Sequence, residues 1–134
     1  MTADAIMTRE VVTVQGDTAL TDLRALLHDR GLRHLLVVEG GDLVGVISDR
    51  DVLQALSLFL NTISEKRRDV QALAQPAAEI MRRDPATVTA DTGIEEAFQL
   101  MLDHDISSLP VVEDGEILGI VTTQDLLRHY TEGA

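Results

Sequence analysis

Residues 34–51 read HLLVVEGGDLVGVISDRD, and residues 108–125 read SLPVVEDGEILGIVTTQD. In each stretch an apolar run, Leu35-Leu36-Val37-Val38 or Leu109-Pro110-Val111-Val112, meets a two-residue turn, Gly40-Gly41 or Asp114-Gly115. Such hairpin turns need residues that tolerate φ > 0. A second strand is therefore predicted to return antiparallel over Leu43 to Ile47 and over Ile117 to Val121. A helix should follow Ser48 and Thr122, reaching to about Leu60 and Tyr130. Outward from these hairpins the likeness continues without a gap. Residues 6–53 align with residues 80–127 at a constant offset of 74, and 17 of the 48 positions are identical. An internal repeat fixes the architecture before any single residue is weighed. It predicts two copies of one unit, related by pseudo-two-fold symmetry.

Each copy reads strand, helix, strand, strand, helix. Val11 to Val14 and Ala86 to Val88 are short β-prone runs, ended by Gln15-Gly16-Asp17 and Thr89-Ala90-Asp91. Ile94, Ala97, Phe98, Met101 and Leu102 then fall on one helical face, as do Leu20, Leu23, Leu26 and Leu27 in the first copy. Thr92 with Glu95 three residues on reads as a capping box, and Thr18 stands in the corresponding place. The mixture predicts an α+β fold, β-α-β-β-α in each copy, with helices on one face of a small sheet. Residues 1–60 are expected to form the first repeat, 61–77 a helical connector and 78–134 the second repeat. In the connector Val70, Leu73 and Ala74 recur at helical spacing behind Ser64-Glu65-Lys66-Arg67-Arg68-Asp69.

Composition narrows the function. Each copy is of a size at which a single core is marginal, and the chain has no cysteine for disulfides or thiolate metal sites. The formal charge of −12 argues against nucleic acid and against anionic membrane surfaces, both of which call for clustered Lys and Arg. No apolar run approaches the roughly 20 residues of a membrane span. The N-terminus Met1-Thr2-Ala3-Asp4-Ala5-Ile6 lacks the pattern of a signal peptide, so a cytoplasmic protein is expected. Phe59, Phe98 and Tyr130 are the only aromatic residues. The histidines show no ligand pairing, and Asp103-His104-Asp105-Ile106-Ser107 would point its side chains in different directions, so no metal site is predicted. No phosphate-binding glycine loop and no activated nucleophile is present either, which argues against an enzyme and gives no catalytic residue.

The short motif that carries chemistry is Gly45-Val46-Ile47-Ser48-Asp49-Arg50-Asp51, repeated as Gly119-Ile120-Val121-Thr122-Thr123-Gln124-Asp125. A glycine inside a strand marks close approach of a ligand or of another backbone. A hydroxyl follows at the strand-to-helix junction, with a carboxylate three residues later. Taken singly, that pair reads as a helix cap. The same geometry also suits a nucleotide: a helix N-terminus receives phosphate, and the carboxylate accepts ribose hydroxyls.

The repeat with its G-h-h-S/T-x-x-D ending resembles the CBS domain, and the tandem resembles a Bateman module. Ile6-Met7 and Ile80-Met81 open the copies, and His34-Leu35-Leu36-Val37-Val38 and Ser108-Leu109-Pro110-Val111-Val112 lie in the middle. The family often has proline before the paired valines, which Pro110 matches and Leu36 does not. The resemblance implies a regulatory sensor of adenosine-containing ligands (AMP, ADP, ATP or S-adenosylmethionine), with no required cofactor, acting on a separate effector protein. It places each ligand cleft between the copies. Asp125 and Thr122 would then meet Val12, Leu32, Arg33 and His34, while Asp51 and Ser48 would meet Ala86, Ile106, Ser107 and Ser108. Ile120 and Val46 would line the adenine pockets. The Asp125 cleft could draw on Arg33, His34 and Arg50 for phosphate. The Asp51 cleft has Ser107, Ser108 and Gln124 at those places, with Arg82 or Arg83 nearby, so the Asp125 cleft should favour the more phosphorylated ligand.

Apolar residues on the helices also predict a homodimer. Leu23, Leu26 and Leu27 are matched by Phe98, Met101 and Leu102, and Leu53, Leu56 and Leu60 by Leu126 and Leu127. A patch of that extent marks an interface, and the resemblance implies a two-fold disc of four repeats. The competing reading is a structural dimerisation module whose clefts hold no physiological nucleotide.

Overall fold

The computed structural model describes residues 1–61 and 74–132. In chain order the elements are α1 (Ala3–Ile6), β1 (Thr13–Gln15), α2 (Leu20–Arg30), β2 (His34–Glu39), β3 (Asp42–Ser48), α3 (Asp49–Asn61), α4 (Ala77–Ile80), β4 (Arg82–Arg83), α5 (Ile94–His104), β5 (Ser108–Glu113), β6 (Glu116–Thr122) and α6 (Thr123–Glu132). Of the helical connector expected over residues 61–77, residues 62–73 lie outside the described ones.

Two compact units divide the chain, Val12–Asp84 and Met1–Val11 with Pro85–Ala134. In the 12–84 unit the strand order is β1-β2-β3-β4. β1 runs parallel to β2, with Val14 opposite Val37, and β2, β3 and β4 are successively antiparallel. The other unit has the same plan in fewer formal strands. β5 and β6 form the hairpin, Val88 bridges Val111 in parallel, and Thr8 bridges Ile120 antiparallel. Val14–Val37 becomes Val88–Val111, and Val46–Arg82 becomes Ile120–Thr8, each displaced by the repeat offset of 74. Both hairpins even shift register at the paired valines, between Val37 and Val38 and between Val111 and Val112.

The alternation along the hairpins decides the core. Leu35, Val37 and Ile47 share one sheet face and are buried with Leu20, Leu23 and Leu27 of α2 and Val52 of α3. In the other unit Leu109, Val111 and Val121 are buried with Ile94, Ala97 and Met101 of α5 and Leu126 of α6. Helices therefore cover one sheet face in each unit, as the 3.6-residue stripes require. Each fully buried leucine contributes about 1.5–3 kcal/mol, so a few such residues are decisive in units this small.

Two readings of side-chain use are corrected, those of the cap threonines and of the apolar helix faces. The compact units divide the chain at other points than the repeats expected at 1–60 and 78–134, because the opening segment of each repeat docks elsewhere. Residues 1–11 join the sheet of the 85–134 unit, and Ala77–Asp84 join that of the 12–84 unit. Thr18 and Thr92 are not helix caps: α2 and α5 are entered through Ala19 and Gly93 with no side-chain cap. Instead Thr18 Oγ1 accepts the Gln15 N–H at 3.2 Å, and Thr92 Oγ1 accepts the Thr89 N–H at 3.0 Å. The hydroxyl closes a turn one step before the helix, a use that competes with capping for Ser and Thr. Finally, Leu23, Leu27, Met101 and Leu126 are spent on the cores. Among the residues whose burial is described, the exposed large apolar side chains on helices are Leu53, Phe98, Leu102, Leu127 and Tyr130.

Candidate functional site

Each unit carries one capping aspartate at the start of the helix that follows its hairpin. In the 12–84 unit the Ser48 N–H donates to Asp51 Oδ2 at 2.9 Å, and the Asp51 N–H donates back to Ser48 Oγ at 3.1 Å. In the other unit the Thr122 N–H donates to Asp125 Oδ2 at 2.9 Å, and the Asp125 N–H to Thr122 Oγ1 at 3.2 Å. Both pairs are reciprocal capping boxes with aspartate in place of the usual glutamate. The shorter side chain serves because the hydroxyl residue is still the last residue of a strand, held tightly against the helix start. The Asp49 N–H bonds to Arg33 O at 2.8 Å and the Thr123 N–H to Ser107 O at 3.0 Å, fixing each helix on the opening of the paired strand.

The glycine of the motif is explained by a docked arm, through its backbone at Gly119 and through a methionine side chain at Gly45. A Cβ at Gly119 would stand 2.6 Å from Thr8 O and 2.9 Å from Met7 Sδ. At Gly45 it would stand 2.4 Å from Met81 Sδ. The close approach is thus made by the docked arms, whose Met7 and Met81 are equivalent across the repeat. Arg9 and Arg83 are used alike: the Arg9 guanidinium donates to Asp4 O at 3.4 Å and that of Arg83 to Ala78 O at 3.0 Å, closing the short helices α1 and α4. That gives the repeated arginine a structural use in each arm, beside the phosphate role the resemblance offered Arg83.

The arms also reach the aspartates. Thr8 Oγ1 donates to Asp125 Oδ1 at 3.1 Å and Oδ2 at 3.4 Å, and an Arg128 guanidinium nitrogen lies 3.7 Å from Oδ1. At the equivalent place Arg82 Nε stands 3.9 Å from Asp51 Oδ1. The Asp125 side chain is 3% exposed and that of Asp51 13%. Thr8 and Arg82 hold the same position in the two arms; the family resemblance set Arg82 or Arg83 near the Asp51 cleft, and nothing in the sequence set Thr8 beside Asp125.

The other predicted site residues fall as follows. In the 12–84 unit His34 pairs with Ser48 and Leu36 with Val46; Arg33 and Arg50 are exposed, and Val12 and Leu32 are half-buried against the core. In the other unit Ser108 pairs with Thr122 and Pro110 with Ile120. Ser107 is exposed, Ser108 is buried, and Ala86 and Ile106 are half-buried. Val46 and Ile120 are buried on the sheet face opposite the helix-covered core. Each unit thus brings together one strand opening, one hydroxyl, one carboxylate and one buried aliphatic side chain.

The model of the CBS domain matches residues 3–58 and 77–132. The chain belongs to the CBS-domain family. Its two tandem CBS repeats coincide with the internal duplication and with the hairpins and aspartates above. CBS domain-containing protein YhcV of Bacillus subtilis is 32% identical over 120 residues, which cover 90% of this chain and 79% of YhcV. Five other curated relatives are longer, and the chain spans between 23% and 58% of their lengths. Among solved structures, the CBS domain pair of protein MJ0100 in complex with 5'-methylthioadenosine and S-adenosyl-L-methionine superposes with a TM-score of 0.80. It is 26% identical, over 97% of this chain and 99% of that one. CBSX2 in complex with AMP gives a TM-score of 0.77 at 28% identity, over 98% of this chain and 96% of that one. Among the described residues, no helix of this CBS pair is long and apolar enough to cross a membrane.

Proposed function

We propose that this CBS pair is a regulatory module that binds adenosine-containing ligands, AMP, ADP, ATP or S-adenosylmethionine, and passes the bound state to a separate effector protein in the cytoplasm. The observation that carries the reading is the division of labour in the two carboxylates. In each aspartate Oδ2 is held by the backbone N–H of the cap, while among the described residues Oδ1 faces side chains, Thr8 (which also reaches Oδ2) and Arg128 at Asp125 and Arg82 at Asp51. A fixed carboxylate whose second oxygen has exchangeable partners suits the two hydroxyls of a ribose. Val46 and Ile120 supply aliphatic surface for adenine on the strand just before each cap. Among the remaining candidates, Arg33, His34 and Arg50 bring cationic character for phosphate where the second copy has Ser107, Ser108 and Gln124. Val12, Leu32, Ala86 and Ile106 offer apolar edges. The ligands named for MJ0100 and CBSX2 support the adenosine class.

Isothermal titration with AMP, ADP, ATP and S-adenosylmethionine tests the reading. Saturable binding that weakens in Asp51→Ala or Asp125→Ala is expected; no heat with any of the four refutes it. A second reading, a structural module without a nucleotide, is favoured by one fact: glycine, hydroxyl and aspartate of the motif each have a structural partner. The same titration decides between them. A homodimer belongs to the proposal as well, formed through the exposed Phe98, Leu102, Leu127 and Tyr130 on α5 and α6. Light scattering at micromolar concentration should give twice the chain mass, and a monomer mass with and without AMP would rule the dimer out.

A further inference from the structure

The arm residue that faces the capping aspartate differs between the units, and the two contacts differ in strength. An aspartate carboxylate offers about four acceptor sites. At Asp125 the Thr122 N–H takes one, and the Thr8 hydroxyl is shared between both oxygens. The side chain is 3% exposed, whereas Thr8 itself lies at the surface. Thr8 is carried by an arm strand that exchanges two backbone hydrogen bonds with Ile120, at 2.8 and 2.9 Å. At Asp51 the facing group is a guanidinium nitrogen 3.9 Å away on a side chain 55% exposed. The Thr8 hydroxyl is bonded to a buried carboxylate and shared between both its oxygens, at 3.1 and 3.4 Å, and a contact to a charged acceptor is charge-assisted, while a long, solvated ion pair is weak. A ribose diol seating on Asp51 turns aside a solvent-exposed arginine head. One that bonds to both oxygens of Asp125 meets the Thr8 hydroxyl, which is shared between those same two oxygens.

We propose that Thr8 is a positioning residue that links ligand binding at Asp125 to the docking of the N-terminal arm, Met1–Val11. This rests on the reading of Asp125 as a ribose anchor. Arm and ligand compete for one carboxylate, so a ligand there loosens the arm, and by linkage the docked arm lowers the ligand's affinity to the same degree. The arm is held otherwise by the Ala3 N–H on Thr92 O, the Asp4 N–H on Ala90 O and the Thr8–Ile120 pair. Those amides therefore report its state. Arg82, with its loose contact, gives the other repeat no comparable linkage.

The test uses the full chain carrying Asp51→Ala, so that one anchor remains, with AMP as the probe. Removing the Thr8 hydroxyl by Thr8→Val should tighten AMP binding about tenfold, the equivalent of roughly 1.4 kcal/mol, while Thr8→Ser should bind as the parent does. Hydrogen exchange at Ala3, Asp4 and Thr8 should speed up when the parent is saturated with AMP, and should not respond to AMP in Thr8→Val. Equal or weaker AMP binding by Thr8→Val overturns the linkage, and so does arm exchange in the parent that ignores AMP. If Thr8→Val does not fold, the parent's exchange decides alone. If Asp125→Ala leaves AMP binding intact, the ribose reading fails and the linkage with it. If Asp125→Ala abolishes binding while Thr8→Val leaves it unchanged, only the linkage is wrong. AMP binding by Thr8→Val where the parent shows none supports it.

Discussion

Replacing Gly119 by alanine sets a backbone clash against the side-chain clash at Gly45. At 119 the new Cβ would lie 2.6 Å from the Thr8 carbonyl oxygen, with Met7 Sδ at 2.9 Å and Cγ at 3.2 Å. At 45 the three nearest atoms all belong to Met81, at 2.4, 2.8 and 3.0 Å. A methionine side chain can rotate away, so Gly45→Ala should cost about 1–3 kcal/mol, the usual range for overpacking. The Thr8 carbonyl cannot turn aside without giving up the Ile120 N–H it accepts at 2.9 Å. Relief there requires the arm to retreat. Two backbone hydrogen bonds at about 1 kcal/mol each and one hydroxyl bond to a carboxylate at about 1.5 kcal/mol then go together. Gly119→Ala should therefore destabilise by about 3–4 kcal/mol and detach residues 1–11 from β6. Urea unfolding of the two variants gives the ranking, and hydrogen exchange at Ala3, Asp4 and Thr8 locates the loss. A Gly45→Ala variant as damaged as Gly119→Ala would refute the reasoning, as would arm amides that stay protected in Gly119→Ala.

Three further substitutions probe the site and the repeat. Asp125→Ala should weaken AMP binding by about 1.5–3 kcal/mol through loss of hydrogen bonds to a charged group, and should lower stability by about 0.5–2 kcal/mol through loss of the cap. Titration and urea unfolding measure the two effects separately, and a stability loss with unchanged binding would leave Asp125 a cap alone. Asp105 ends α5 in the left-handed region at φ 51°, where Gly31 ends α2 at φ 62°. The left-handed region costs a side chain roughly 1–2 kcal/mol, less for Asp. Asp105→Gly should therefore stabilise by about 1 kcal/mol at this cap position, and a lowered melting temperature would contradict a strained Asp105. Arg33→Ala should weaken ATP binding several-fold more than adenosine binding, because a guanidinium contributes most against phosphate; equal losses for both ligands would remove its phosphate role.

The hairpins were legible because period-two runs, φ-tolerant turns and a constant offset all pointed to one register. The helices were legible because Leu20, Leu23 and Leu27, and Ile94, Ala97 and Met101, leave one face only for the core. The destination of the arms was not. Met7 and Arg9 recur as Met81 and Arg83, so an alignment places each arm in its repeat, yet Thr8 bonds to Ile120 and Arg82 to Val46. A repeat that is the same in both copies carries no signal for which sheet receives which arm, since either docking satisfies the pattern equally. The same limit applies to the motif at 45–51 and 119–125. Its glycine is needed wherever an arm crosses, and its hydroxyl and aspartate wherever a helix must be capped, so their presence in both copies follows from folding before any ligand is considered. What folding does not require is a threonine at 8 against an arginine at 82, or Arg33 and His34 against Ser107 and Ser108. In a duplicated chain the shared residues build the two units. The unmatched ones beside each carboxylate are where, on the proposed reading, the two sites would acquire different affinities, and a response that two identical sites could not give.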